Sequence, residues 1–391
     1  MAKNIALFID GTWNRPGGAT DTNVRHLYND AQADGGPGQV CHYMSGVGTE
    51  IGGFRVIPSF LNRASIERGL NYMPRWVRNI LGGAFGWGTA FKIKEAYAFL
   101  CDHYVQGDHV FLFGFSRGAF AARSLAGFVE QVGILYRDKL ELVETAYAMY
   151  ENPSEVARNA LTDNVRAMAG RPGPFVEGEF ALPIYMIGVW DTVAALGIPR
   201  RNAELPGYFT EHHRPDLPNN VTHARHALAL HELRPKFEPL LWSSCAPWQT
   251  LRQVWFPGAH ADVGGGYEAR YLSDTALGWM AREAQKVGLT LTTCPTLQGS
   301  TLGPDRVHHE LRGIFTFSRS ALRRCLTEQR YVSVAQQHRV HRGVVDRLRD
   351  ANSSRYGYVR PGVNNKLRQA DELALKMLVQ LGRIHVDAIC Q

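Results

Sequence analysis

Ser116 stands in Gly114-Phe115-Ser116-Arg117-Gly118, where an apolar run stops and an alanine-rich segment begins (FLFGFSRGAFAAR, 111–123). A serine with glycine two residues before and two after fits G-x-S-x-G, the nucleophile elbow. The serine must take a strained strand-to-helix turn, so its flanks have to be small. That turn lifts the hydroxyl off the sheet and leaves a helix N-terminus beneath it, where the N–H of Arg117 supplies half of an oxyanion hole. A serine hydroxyl needs a base, and the base needs an acid to hold it. Downstream, Asp191 in GVWDTV and His260 in FPGAHADVGGGY follow in the order serine, acid, histidine. Asp191 would equally suit a helix N-cap ahead of TVAALG. His260 would equally suit a structural place in a glycine-rich loop. Asp262 and Asp274 are competing acids, and Asp262 is close enough to His260 to shape its loop. The second oxyanion donor is expected from DGTWN (10–14), through the N–H of Gly11 or Thr12. Asp10 either orients that loop by accepting backbone hydrogens in an Asx-turn or hydrogen-bonds within the site.

Four segments share one format, a short apolar strand running into a polar or glycine-bearing turn: NIALFIDGTWN (4–14), HVFLFGFSRGA (109–119), IYMIGVWDTVAALG (184–197) and LRQVWFPGAHADVGGGY (251–267). The first three are continuous apolar runs, as expected of parallel strands covered on both faces. Helical patterns lie between them at 89–105 and 119–135. This alternation predicts an α/β fold, a doubly wound, mostly parallel sheet with ligands beyond the carboxyl ends of its strands. The order of Ser116, Asp191 and His260 makes it α/β-hydrolase-like. Two insertions are candidate helical caps. Residues 51–90 interleave Arg55, Arg63, Arg68, Arg75 and Arg78 with bulky apolar residues, and Gly82, Gly83, Gly86 and Gly88 offer hinges. This segment is read as a lid, an acyl-chain cleft or a surface that rests on an anionic membrane. Residues 136–182 form the second insertion, helical over 138–152. HARHALALHEL (223–233) reads as a helix that packs its alanines and leucines on the sheet.

The composition limits the function classes. The chain has 391 residues, 45% of them hydrophobic, enough for a large core and read as one elaborated domain. The net charge of +7 is concentrated in 301–391, which holds fourteen Arg and two Lys against eight Asp and Glu. This basic part is expected to pack on the body, through an amphipathic helix at 370–384 that docks there or on another subunit. Its charge suits either anionic headgroups or a solvated face. No zinc-finger spacing, RNP-like strand or long basic run points to nucleic acid. The six cysteines (41, 101, 245, 294, 325, 390) have no CxxC spacing and read as thiols of a reducing compartment. His212, His213, Asp216, His223, His226 and His231 carry no H-E-x-x-H pattern, so neither metal nor cofactor is expected. MAKNIALFID is too short and too early broken by Asp10 for a signal h-region, and no window would span a bilayer. The expectation is a cytoplasmic protein in the producing cell, exported, if at all, without a cleaved signal.

FIDGTWN, TNV (22–24), GVGT (46–49), GFSRGA, GVWDTV, ARHALALHELRPKF (224–237), WFPGAHADVGGGY and VHRGVVDRL (340–348) occur in this order. With these blocks the chain, from about residue 4 to about residue 365, resembles the α/β-hydrolase family that includes the type VI secretion phospholipase effectors of the first lipase class. The resemblance implies a serine hydrolase with Ser116, Asp191 and His260 as its triad, ester cleavage, and phospholipase A activity in the toxin branch. It also implies a secretion or immunity partner if the chain is an effector. Three other readings remain, the first an esterase that uses the same three residues on small soluble esters. A phosphoryl-transfer enzyme of the haloacid-dehalogenase type needs D-x-D-G-T, and Phe8 stands where its nucleophile belongs. A hydrolase scaffold used only for binding would have no need of all three triad residue types.

Overall fold

The computed structural model describes residues 2–11, 20–33, 36, 38–46, 84–151, 184–193, 216–234, 237–291 and 338–340, with only the backbone at 84–88 and 338–340. The element order is β1 (Asn4–Ile9), α1 (Asn23–Ala33), β2 (Gln39–Met44), α2 (Ala84–His103), β3 (His109–Phe115) and α3 (Arg117–Val132). A 3-10 turn (Arg137–Leu142), α4 (Val143–Tyr150), β4 (Ile184–Trp190) and β5 (Val221–Ala229) follow. Then come β6 (Thr250–Phe256), α5 (His260–Gly264), α6 (Tyr271–Lys286) and β7 (His338–Val340). The seven strands form one sheet in the order β2-β1-β3-β4-β5-β6-β7, and every neighbouring pair is parallel. The strand order reverses at β1 and β3, so the loops after these strands diverge and leave a crevice at their carboxyl ends.

Alternate residues of each strand feed two cores, as the period-2 geometry of a strand requires. Ile5, Leu7, Ile9, Val110, Leu112, Ile187 and Val189 face α2, α3 and α4. Ala6, Phe8, Phe111, Phe113, Met186 and Trp190 face α1 and α6. Both faces are therefore dry, which is why these strands read as unbroken apolar runs rather than alternating ones. The expected doubly wound α/β architecture is borne out.

Several expectations need correction. HARHALALHEL is not a helix: Val221–Ala229 is strand β5, paired with β4 and β6. Alanine and leucine favour helix locally, but Ala224 is needed in one core and Ala227 and Ala229 in the other. Pairing on both edges then outweighs propensity. Gly86 and Gly88 lie inside α2 rather than at hinges, and residues 51–83 of the candidate lid lie outside the described residues. The first part of the second insertion does not cap the site. Tyr147 and Tyr150 of α4 pack against Phe128 of α3, on the helical layer over the sheet; residues 152–182 lie outside the described residues. The amphipathic pattern at 370–384 and the rest of 301–391 do too, apart from β7, whose backbone extends the sheet beyond β6.

Candidate active site

β3 delivers Ser116 to the carboxyl edge of the sheet. Its φ of 58° and ψ of −120° lie in a region that L-residues avoid. Among the described residues only one other non-glycine has a positive φ: Asp191, at 38°. Backbone strain thus sits at two of the three candidate catalytic positions, as it does where geometry is imposed for function. The two glycines of the elbow are sterically required. A Cβ on Gly114 would stand 2.5 Å from the Gly118 carbonyl oxygen. One on Gly118 would overlap the Ile9 and Asp10 carbonyl oxygens. α3 therefore begins pressed against the end of β1, which brings the elbow beside Asp10.

Asp191 directly follows β4, and β6 leads into α5, whose first residue is His260. His260 Nε2 lies 2.8 Å from Ser116 Oγ, and its Nδ1 lies 2.6 Å from Asp191 Oδ2. Asp191 Oδ1 accepts the Ala229 N–H at 2.9 Å, so its two carboxylate oxygens engage β5 and the imidazole; the segment from residue 194 that it was also read as capping lies outside the described residues. With Nδ1–H held by the carboxylate, Nε2 is the lone-pair nitrogen that faces the hydroxyl. All three side chains are buried, Asp191 fully and Ser116 at 7% exposure. Burial pulls the His260 pKa below the ordinary histidine value, with Asp191 opposing that shift. The ring lies between Phe115, at 4.7 Å, and Phe237, at 5.0 Å.

The competing acids are elsewhere. Asp262 accepts the Ala259 N–H at 2.9 Å and shapes the first turn of α5. Asp274 pairs with Arg270 on α6 at 2.6 Å. Asp10 is buried and works on its own loop. Its Oδ1 accepts the Gly11 N–H at 2.6 Å, and its Oδ2 accepts the hydroxyls of Thr22 (2.8 Å) and Tyr43 (2.6 Å). The Gly11 N–H is thereby turned onto Asp10, a departure from its expected oxyanion role; Thr12 lies outside the described residues. Arg117 opens α3, whose first turn has backbone donors without intrahelical acceptors. Of the histidines read as metal candidates, His223, His226 and His231 hydrogen-bond elsewhere, while His212 and His213 lie outside the described residues. His226 Nε2 accepts the Thr192 N–H, His231 Nδ1 accepts the Gly258 N–H, and His223 bonds Thr250 Oγ1. Among the described residues no group of His, Cys, Asp and Glu has metal-binding geometry.

Sequence reasoning missed the parts that hold these groups. Tyr43 and Thr22 steady Asp10. Asn23 donates to the Val263 and Ser273 carbonyls at 2.9 and 2.8 Å, tying α1 to the helix that carries His260. Thr22 also bridges Gly265, where a Cβ would stand 2.7 Å from the Asn23 nitrogen. The short block TNV was visible, but nothing in it announces these partners.

Residues 3–283 match the family model described as the catalytic domain of Tle1-like phospholipase effectors of the type VI secretion system. The chain belongs to the Tle1-like phospholipase effector family. It is 31% identical over 248 residues to the uncharacterized yeast protein YEL023C of Saccharomyces cerevisiae, over 62% of this chain and 33% of that protein. The chain thus spans about a third of the length of this curated relative. Among solved structures, it is similar to an uncharacterized protein from Pseudomonas aeruginosa, at 16% identity and a TM-score of 0.39, covering 100% of this chain and 64% of that one. It is also similar to the Tle1 effector solved bound to the VgrG spike, at 20% identity and a TM-score of 0.35, covering 68% and 51%. Among the described residues of this Tle1-like chain, no helix is long and apolar enough to cross a membrane.

Proposed function

We propose that this Tle1-like chain is a serine ester hydrolase that cleaves the acyl esters of lipids, phospholipids among them. The observation that carries the reading is the continuous path from Ser116 Oγ through the His260 ring to Asp191, at 2.8 and 2.6 Å. As Ser116 Oγ attacks the ester carbonyl carbon, its proton passes to His260 Nε2. Asp191 holds the imidazolium through Nδ1–H. The carbonyl oxygen gains negative charge and is received by the Arg117 N–H, with a second donor from the DGT turn, for which Thr12 is the candidate. Collapse breaks the C–O bond, and the proton on Nε2 goes to the departing alcohol. Water then repeats the sequence on the acyl-serine and releases the acid. The lipid preference is supported by family membership, which also supports export by a signal-independent route and a secretion partner.

The test is fatty-acid release from vesicles of phosphatidylethanolamine and phosphatidylglycerol, alongside hydrolysis of p-nitrophenyl butyrate. The expected result is turnover of both, with Ser116→Ala losing at least about 10⁴-fold while keeping its fold. Turnover of the soluble ester alone would remove the lipid assignment. Undiminished turnover by Ser116→Ala would remove the mechanism.

A further inference from the structure

The block HELRPKF follows β5 and has no part in the reaction above. Glu232 and Arg234 stand two residues apart, and their side chains meet. Arg234 Nε donates to Glu232 Oε1 at 2.8 Å and Nη2 to Oε2 at 2.7 Å, a two-pronged fork. Both side chains are buried. A buried ion pair is a poor way to gain stability, since apolar residues of similar volume do as well or better. Its surroundings suggest what it is for. Glu232 Oε2 also accepts the backbone N–H of His260 at 3.3 Å. The Arg234 guanidinium lies 3.6 Å over the Phe237 ring, and that ring meets the His260 imidazole edge to face at 5.0 Å. One residue earlier, the His231 N–H donates to the Gly258 carbonyl at 2.9 Å, and its Nδ1 accepts the Gly258 N–H. The segment thus grips the β6 exit loop on both sides of the turn that presents His260.

We propose that the buried Glu232–Arg234 pair is a positioning element for His260, with Glu232 fixing the backbone that carries the imidazole and Arg234 balancing the charge around it. The inference rests on the reading of His260 as the base. The charged groups acting on the ring are Asp191 from the end of β4, and Glu232 and Arg234 from the segment after β5. Asp262, on the same short helix, is engaged with Ala259. Arg234 disfavours a proton on His260, and Glu232 favours one. Because the two charges are joined, their effects on the ring largely cancel in the native protein. Removing either charge alone takes away its own effect on the ring and leaves that of the other in place.

The experiment follows the His260 titration by NMR of the full chain carrying labelled histidine, assigned with His260→Gln, and compares it with the acidic limb of kcat/KM for p-nitrophenyl butyrate. Glu232→Gln keeps an acceptor for the His260 N–H but removes the negative charge, so the titration should move to lower pH. Arg234→Met should move it to higher pH. A unit charge several ångströms away through protein is worth about half a pH unit or more. Arg234→Lys keeps the charge and should leave the midpoint near that of the parent, and the double variant Glu232→Gln, Arg234→Met should return toward it. Shifts of opposite sign that cancel in the double variant support the proposal. Midpoints that stay put, or move in the same direction in both single variants, overturn it. If Arg234→Met does not fold, Glu232→Gln and Arg234→Lys decide alone: down for the first, unmoved for the second. If the parent protein hydrolyses neither ester nor lipid, the hydrolase reading fails, while the NMR midpoints still test the effect of the pair on His260.

Discussion

Helix propensity and the packing of the elbow make opposite forecasts for Gly118→Ala. Gly118 is the second residue of α3. On propensity alone, alanine in place of glycine stabilises a helix by about 1 kcal/mol. The new Cβ would stand 2.5 Å from the Asp10 carbonyl oxygen and overlap the Ile9 carbonyl as well. The first of these is roughly 1 Å inside contact for a pair of heavy atoms. The obstacle is the backbone of β1, the strand at the centre of the sheet's reversal, and no flexible side-chain end is there to give way. Either α3 lifts off or β1 shifts, and overpacking of this kind costs about 1–3 kcal/mol or more. The account therefore predicts net destabilisation by about 2 kcal/mol, read as a lower urea-unfolding midpoint at unchanged slope. Because the same shift moves Ser116 and the Arg117 N–H relative to the DGT turn, kcat on p-nitrophenyl butyrate should fall by about 100-fold. A variant as stable as the parent, with full turnover, would refute the argument that the elbow needs a residue without a side chain here.

Asp191→Asn should lower kcat by about 10⁴-fold, because both the Ala229 N–H and the His260 Nδ1–H need an acceptor and an amide has one oxygen; steady-state kinetics at pH 8 checks this. Asn23→Ala removes the amide that joins the Val263 and Ser273 carbonyls, and should lose about 2 kcal/mol in urea unfolding. In the folded chain His26, His42, His223 and His260 all have pKa values lowered by burial. Between those values and about 6.5 the unfolded chain binds more protons, so stability should be full above that pH and decline as pH falls below it. Thermal melts from pH 8 to pH 5 would show the decline. Since His260 must be uncharged to act as base, the acidic limb of kcat/KM should likewise fall below pH 6.5.

The strands that lead to Ser116 and Asp191 were legible because each is an apolar run cut off by a polar residue, a pattern set by dry packing on both faces, whereas the strand that leads to His260 (TLRQVWF) is apolar only over its last three residues. β5 was not legible, since its alanines and leucines suit a helix equally well, and only its two neighbours make it a strand. The edge strand β2 (QVCHYM) is half exposed along most of its length, so its mixed sequence carries no clear period. The three candidate side chains could be picked out because chemistry limits their types and the sheet fixes where they emerge. Their holders could not. Glu232 and Arg234 belong to no catalytic motif in the sequence, and only the structure brings them together beside the Phe237 ring. Gly11 or Thr12 was expected to face the substrate, but Asp10 takes the Gly11 N–H. That competition depends on where Thr22 and Tyr43 put the carboxylate.

The central claim is that Ser116 is activated by an imidazole that Asp191 holds in place. Its most direct test is covalent modification by a fluorophosphonate, with the adduct mapped by mass spectrometry of the intact chain and its peptides. The account predicts a single adduct on Ser116, formed at least about 100 times more slowly in His260→Ala. Labelling at another residue, or labelling of Ser116 at the same rate without His260, would contradict it.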